Sequence, residues 1–218
     1  MNDLPNQAPH KTGRNRWFSV LTLILFAVAA TLAINLVERN TRQQIADNQA
    51  AYTMRVIGEV LPAVGYDNEP HLDIVWLSDE DLPGSLPPLP TYRARLGQQV
   101  IATAITVIAE DGYVGPIRLL VGIDARGNII RVRSIEHRET PGLGDKIELG
   151  KSNWITQFDG AGRLTEASWT LHQDGGEFDH ISGATITSRA VIEAVRAALE
   201  YYLQNATMID AVSPESKD

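Results

Sequence analysis

The sequence predicts an α+β protein: one N-terminal transmembrane helix, then a single domain in which an antiparallel sheet is closed by a C-terminal helix. Three observations carry this. Residues 17–37 run for 21 positions without a charged side chain. Stretches rich in Val, Ile and Thr at 100–110, 117–124 and 129–135 are separated by turn residues, the mark of short strands. Residues 189–203 place Val191, Ile192, Val195, Ala198, Leu199 and Tyr202 at helical spacing, one apolar face of a helix that must pack on something.

The uncharged run comes first in the chain and sets its topology. At about 1.5 Å per residue it crosses a hydrocarbon core of about 30 Å. Lys11, Arg14 and Arg16 precede it, whereas Glu38 and Asp47 dilute Arg39 and Arg42 behind it. The positive-inside bias therefore leaves residues 1–16 in the cytoplasm and exports everything after Glu38. A cleaved signal peptide is the competing reading, because Ala27-Val28-Ala29 resembles a cleavage site. The apolar run continues eight residues past Ala29, which favours a retained anchor.

Composition narrows the functions open to the exported part. The chain has 19 basic and 27 acidic residues, and 16 and 26 of these lie from residue 38 onward, so a basic head precedes an acidic body. Such a body does not attract nucleic acid. With no cysteine there is no disulfide, no thiolate iron–sulfur cluster, no Cys-x-x-Cys-His haem attachment and no cysteine zinc site. No Gly-x-Gly-x-x-Gly or Walker pattern supports a nucleotide fold.

Along the exported part, Ile45, Tyr52, Val56 and Val60 mark an amphipathic stalk helix within 38–65 that stops at Pro62. A folded domain is expected over 66–205. It opens with an acidic, proline-punctuated surface loop to residue 90, containing Asp79-Glu80-Asp81, Pro87-Pro88-Leu89-Pro90 and a short strand near 74–77. Ala125-Arg126-Gly127-Asn128 suits a hairpin between two strands. Thr187 or Ser188 is available to cap the last helix, and 206–218 reads as a flexible tail. Trp76, Trp154 and Trp169 read as core or interface aromatics rather than electron relays. His137 with Glu139, and His172 and His180, lack the third ligand that a metal site needs.

Chemistry concentrates in one stretch, Asp179-His180-Ile181-Ser182-Gly183-Ala184-Thr185-Ile186-Thr187-Ser188, directly before the final helix. Four hydroxyls and a glycine at a helix N-terminus make either a capped turn or a favourable place for a phosphate. Asp179 to Thr185 resembles the D-x-x-(S/T)-G-A-T motif of the FMN-binding domain family, whose final Thr is esterified to the phosphate of flavin mononucleotide. Gly112-Tyr113-Val114-Gly115-Pro116-Ile117 and the stretch from Glu136 through His137-Arg138-Glu139-Thr140-Pro141-Gly142-Leu143-Gly144-Asp145 to Lys146 resemble segments of the RnfG family, the G subunits of Rnf (Rsx) ion-translocating electron transport complexes. The single span and the total length agree, so the resemblance covers nearly the whole chain.

The resemblance implies FMN as cofactor and Thr185 as its covalent attachment point, with Thr187 the position to exclude. Ser182, Gly183 and Ala184 belong to the same loop, and Asp179 is implied to serve recognition or loop geometry. Glu139, Thr140 and Leu143 are implied to sit against the flavin or a partner's redox centre, although Thr-Pro-Gly is equally a good turn. A threonine hydroxyl is a weak nucleophile without help, so a flavin transferase drawing FMN from FAD is implied. The implied role is a single-pass flavoprotein component of a bacterial inner-membrane, redox-driven ion pump, its FMN domain periplasmic and bound to other subunits. It is not expected to turn over substrate alone. The alternatives are NqrC, the related component of the sodium-translocating NADH:quinone oxidoreductase, and a flavin-free membrane-anchored adaptor.

Overall fold

The computed structural model describes residues 13–63, 65–78, 82, 88–162 and 168–211. The expected cytoplasmic segment up to residue 12, the acidic Asp79-Glu80-Asp81, Pro87 and the tail from 212 lie outside them. Two compact units divide the chain at Ala50 and Ala51.

The described residues of the first unit, 13–50, belong to α1 (Gly13–Val60). Within it, Trp17–Leu36 has a mean hydropathy of 2.3 and none of it is buried by protein, so Phe18, Leu21, Leu23, Leu25 and Phe26 are exposed side chains that only lipid or another helix satisfies. Thr22, Thr31 and Asn35 there bond to carbonyls of their own helix. Thr31 Oγ1 donates to the Ala27 carbonyl at 2.8 Å and Asn35 Nδ2 to the Thr31 carbonyl at 2.8 Å. Local pairing of this kind lets hydroxyl and amide groups enter an apolar solvent. Span and stalk, expected as two elements, are one helix, because no proline and only Gly58 interrupts residues 38–60. It ends two residues before Pro62, whose ring disfavours helix in the residue ahead of it.

The second unit is built on a five-stranded antiparallel meander in the order β1 (Ile74–Leu77), β2 (Leu89–Leu96), β3 (Gln99–Ala109), β4 (Ile117–Asp124) and β5 (Ile129–Glu136). The β4–β5 hairpin closes as expected at Gly127, φ 84°, while Asp124 Oδ1 accepts the N–H groups of Arg126 and Asn128, both at 2.9 Å. β2 is an addition to the sequence reading.

The last helix, α2 (Thr185–Ala211), is longer than expected at both ends. Thr187 and Ser188 are not caps outside it but buried residues of its first turn. Ser188 Oγ instead accepts the Ile181 N–H at 2.9 Å and donates to the Ala184 carbonyl at 3.0 Å, which ties the preceding loop down. At the other end, residues 206–211 of the expected flexible tail are helical, and Ile209 is 0% exposed. The cause is a buried cation: Arg93 on β2 donates Nη1 to the Ile209 carbonyl at 2.8 Å and Nε to Asp73 Oδ1 at 2.8 Å. Arg95 Nε adds a 2.6 Å bond to Asp73 Oδ2. Guanidinium groups at a helix C-terminus satisfy carbonyls that the helix leaves open.

Alternation along the strands gives the sheet two buried faces. Ile105, Val107, Leu119, Val121 and Ile123 meet Val191, Val195, Ala198, Leu199 and Tyr202 of α2. Trp169 joins this core, Trp154 packs at its edge, and Trp76 is half exposed. The intervening residues, Tyr92, Ala94, Ala102, Ala104 and Leu120, meet Val56, Ile57, Val60 and Leu61 at the end of α1. Small residues let this helix end come close. A Cβ on Gly122 would overlap the backbone of Val60, so only glycine fits there. Arg131 Nη1 donates to the Glu59 carbonyl at 3.0 Å, Arg133 Nε to Glu59 Oε2 at 3.1 Å, and Tyr52 to the Ser134 carbonyl at 3.2 Å. Gly122→Val is expected to cost about 3 kcal/mol in urea unfolding of the detergent-solubilised chain, since a well-packed helix end must shift; a loss of a few tenths would contradict this packing.

Candidate functional site

Three chain segments far apart in sequence converge beyond the sheet. The loop after β3 brings Tyr113 and Val114. The turn after β5 brings Glu139 to Gly144, wound tightly by the Leu143 N–H donating to the Thr140 carbonyl at 3.1 Å with Gly142 at φ 78°. The third segment is the start of α2, approached through a turn in which the Ala184 N–H donates to the Ile181 carbonyl at 2.8 Å and Gly183 adopts φ 80°. A side chain at that φ is strained, which accounts for the glycine.

Between them lies a cavity of about 360 Å³ lined by Tyr113, Glu139, Thr140, Leu143, Gly144, Gly183, Ala184, Thr185, Ile186 and Thr187. Its polar floor is one hydrogen-bonded unit. Glu139, buried, accepts the Thr187 hydroxyl on Oε2 at 2.6 Å and the Val114 N–H on Oε1 at 3.0 Å, so a single carboxylate ties all three segments together. Gly144 leaves room for it: a Cβ there would lie 2.5 Å from Glu139 Oε2 and 3.0 Å from Thr187 Oγ1. The rim is apolar and open, with Tyr113 65%, Leu143 43% and Ile186 53% exposed.

Behind the floor runs a charged chain. His137 accepts the Glu139 N–H on Nδ1 at 3.2 Å and meets Glu148 Oε1 through Nε2 at 3.0 Å. Lys151 bridges Glu148 at 2.6 Å and Asp145 at 2.9 Å. The Lys151 ammonium holds the Asp145 carboxyl below the usual carboxylate range.

The two hydroxyls that the sequence left as alternatives are separated by this geometry. Thr187 is 0% exposed and its hydroxyl is committed to Glu139. Thr185 is the first residue of α2, only half-buried, and lines the cavity where the helix presents its N-terminal N–H groups. Among the other expected residues, Gly183, Ala184, Glu139, Thr140 and Leu143 line the cavity, whereas Ser182 and Asp179 do not. The Asp179 side chain is exposed, its Oδ1 3.7 Å from His172 Nε2, while its carbonyl accepts Trp154 Nε1 at 2.7 Å and its N–H donates to Gln157 Oε1 at 2.8 Å. Tyr113, Gly144 and Ile186 are lining residues that sequence reasoning did not single out. Tyr113 and Gly144 stand inside the two resembling segments, which was the available signal.

These residues fit FMN. The volume falls in the range of small-ligand sites, about 300–1,000 Å³. An apolar mouth suits a flat aromatic ring, and a helix N-terminus suits a phosphate. The fold and site define a membrane-anchored FMN-binding protein. A family model described as FMN-binding domain matches residues 112–200, which include every cavity residue, and one described as RnfG N-terminal region matches residues 17–60. The chain belongs to the RnfG family, the G subunits of ion-translocating oxidoreductase complexes. It is 41% identical to the family member from Shewanella baltica (strain OS223) over 189 residues, 86% of this chain and 89% of that one. It is 43% identical to the one from Pseudomonas aeruginosa (strain UCBPP-PA14) over 196 residues, 89% and 92% of the two chains. Among solved structures, Shewanella oneidensis NqrC is similar with a TM-score of 0.45 and 17% identity, over 67% of this chain and 76% of that chain.

Proposed function

We propose that this chain carries FMN as a phosphoester on Thr185 and passes electrons within an Rnf-type ion-translocating membrane complex. The observation that carries the attachment site is the contrast between Thr185, half-buried at the cavity and at the head of α2, and Thr187, whose hydroxyl is already bonded to Glu139. Bound FMN supplies one- and two-electron redox chemistry. The chain's own residues would hold it: the N–H groups of the first α2 turn would take the phosphate, and Tyr113, Leu143 and Ile186 would shield the ring from water. Asp179, outside the cavity on an exposed loop, serves recognition by a flavin transferase. That transferase joins Thr185 Oγ to the flavin-side phosphorus of FAD, breaks the pyrophosphate bond and releases AMP, the hydroxyl proton passing to a base of the transferase.

In this reading residues 1–16 are cytoplasmic, 17–37 span the bacterial inner membrane and the FMN domain, within 66–205, is periplasmic, where a covalent tether prevents loss of the cofactor. The other subunits of the complex are its electron donors and acceptors. The test is the intact mass of the chain, purified from cells producing the transferase and set beside the same chain made without it. The expected difference is one FMN less one water. Equal masses, with the transferase active on another substrate in the same cells, overturn the reading.

A further inference from the structure

The cavity's only carboxylate among its lining residues is held through its backbone as well as its side chain, and the backbone partner is a histidine outside the cavity. We propose that His137 is a positioning residue that fixes Glu139, and with it the Thr187 and Val114 walls of the flavin cavity. The inference deepens the reading of this cavity as the FMN site and rests on it.

The geometry defines the state of the ring. An N–H can only donate, so His137 Nδ1, 3.2 Å from the Glu139 nitrogen, is an unprotonated acceptor. Nε2 then bears the proton and donates to Glu148 Oε1 at 3.0 Å. The imidazole side chain is only 12% exposed and so is kept in this orientation from both ends. Glu148 is itself held by Lys151, which also pairs with Asp145 at the foot of the Glu139-to-Gly144 turn. The bond from a side chain at one position to the N–H two residues later imitates an Asx-turn, with an imidazole nitrogen in place of the amide oxygen. It sets the direction in which residue 139 leaves the end of β5. Since Glu139 meets Thr187 at 2.6 Å, two residues from Thr185, an error in that direction is transmitted to the head of α2.

The Asx-turn analogy supplies the test. Asn at 137 keeps an acceptor for the Glu139 N–H and removes the ring; Phe keeps a ring and removes the acceptor. Hydrogen exchange at the Glu139 amide is measured by mass spectrometry on the flavin-free full-length chain in detergent. In His137→Phe it is expected to quicken about tenfold, the worth of one buried hydrogen bond, and in His137→Asn to stay near the parent. Equal exchange in the parent and His137→Phe overturns the proposal. Where His137→Phe also loosens 191–202, His137→Asn decides, with retained protection supporting the role and lost protection overturning it. On the flavin-loaded chain the midpoint potential is expected to move in His137→Phe and to return in His137→Asn; a potential unmoved by His137→Phe refutes the link to the flavin. A parent chain that takes no flavin refutes the FMN reading alone, and the exchange result still settles whether His137 holds Glu139.

Discussion

Thr185→Ala is expected to yield a folded, colourless chain with the unmodified mass, even when the transferase is co-produced. The loss should be complete rather than partial. Removing the Oγ removes the nucleophile, and the neighbouring candidate is not a substitute: Thr187 is fully buried with its hydroxyl donated to Glu139. Reaching it would require opening the first turn of α2, where Ser188 also binds the Ile181 N–H and the Ala184 carbonyl. Proteolytic peptides from the parent should therefore place the added mass on Thr185 and none on Thr187. Flavin found on Thr187, or retained in Thr185→Ala, would sink the assignment. The mutant should unfold within about 0.5 kcal/mol of the parent, as expected for a partly exposed helix-terminal residue without a structural role.

The second large effect lies at the far end of the same helix. Arg93→Met leaves Asp73, a buried carboxylate, with Arg95 and a long bond from the Asn68 amide, and leaves the Ile209 carbonyl without the Arg93 donor. Breaking one partner out of a buried pair costs about 3–5 kcal/mol. Here Arg95 remains, so about 3 kcal/mol is expected in urea unfolding of the full chain in detergent, with faster exchange in the last turn of α2. Arg93→Lys should recover little, because an ammonium cannot meet Asp73 and the helix carbonyl in the fixed directions of a guanidinium. A loss below about 1 kcal/mol would mean that the helix end is held by something other than this cation.

What the sequence made legible was what is local. The span is visible because 21 uncharged residues admit few other readings, and the β4–β5 hairpin because Gly127 supplies the turn its strands need. β2 was hidden by its own chemistry: Pro87 and Pro88 precede it, Pro90 lies within it, and Arg93 and Arg95 interrupt its apolar pattern, since a strand that clamps a helix end carries charge inward. The start of α2 was misplaced because Thr187 and Ser188 resemble caps, and only their burial reveals that their hydroxyls serve Glu139 and the 181–184 loop. For the site, the resemblance alone joins the three motif segments. Tyr113 and Ile186 needed the fold, because membership of a cavity wall depends on which loops meet beyond the sheet.

The two sides of the sheet also differ in what they can tolerate. Toward α1, Ala94, Ala102 and Ala104 pack with Tyr92 and Leu120 on the end of that helix, and at Gly122 the Val60 backbone comes so near that no side chain fits. Toward α2 the filling is bulky, from Ile105 and Val107 to Leu119 and Ile123. Divergence should therefore be asymmetric: one surface is intolerant of growth and the other of shrinkage. A homologue can exchange the bulky residues facing α2 only by compensated swaps, while positions 94, 102, 104 and 122 beneath residues 56–61 stay confined to the smallest side chains.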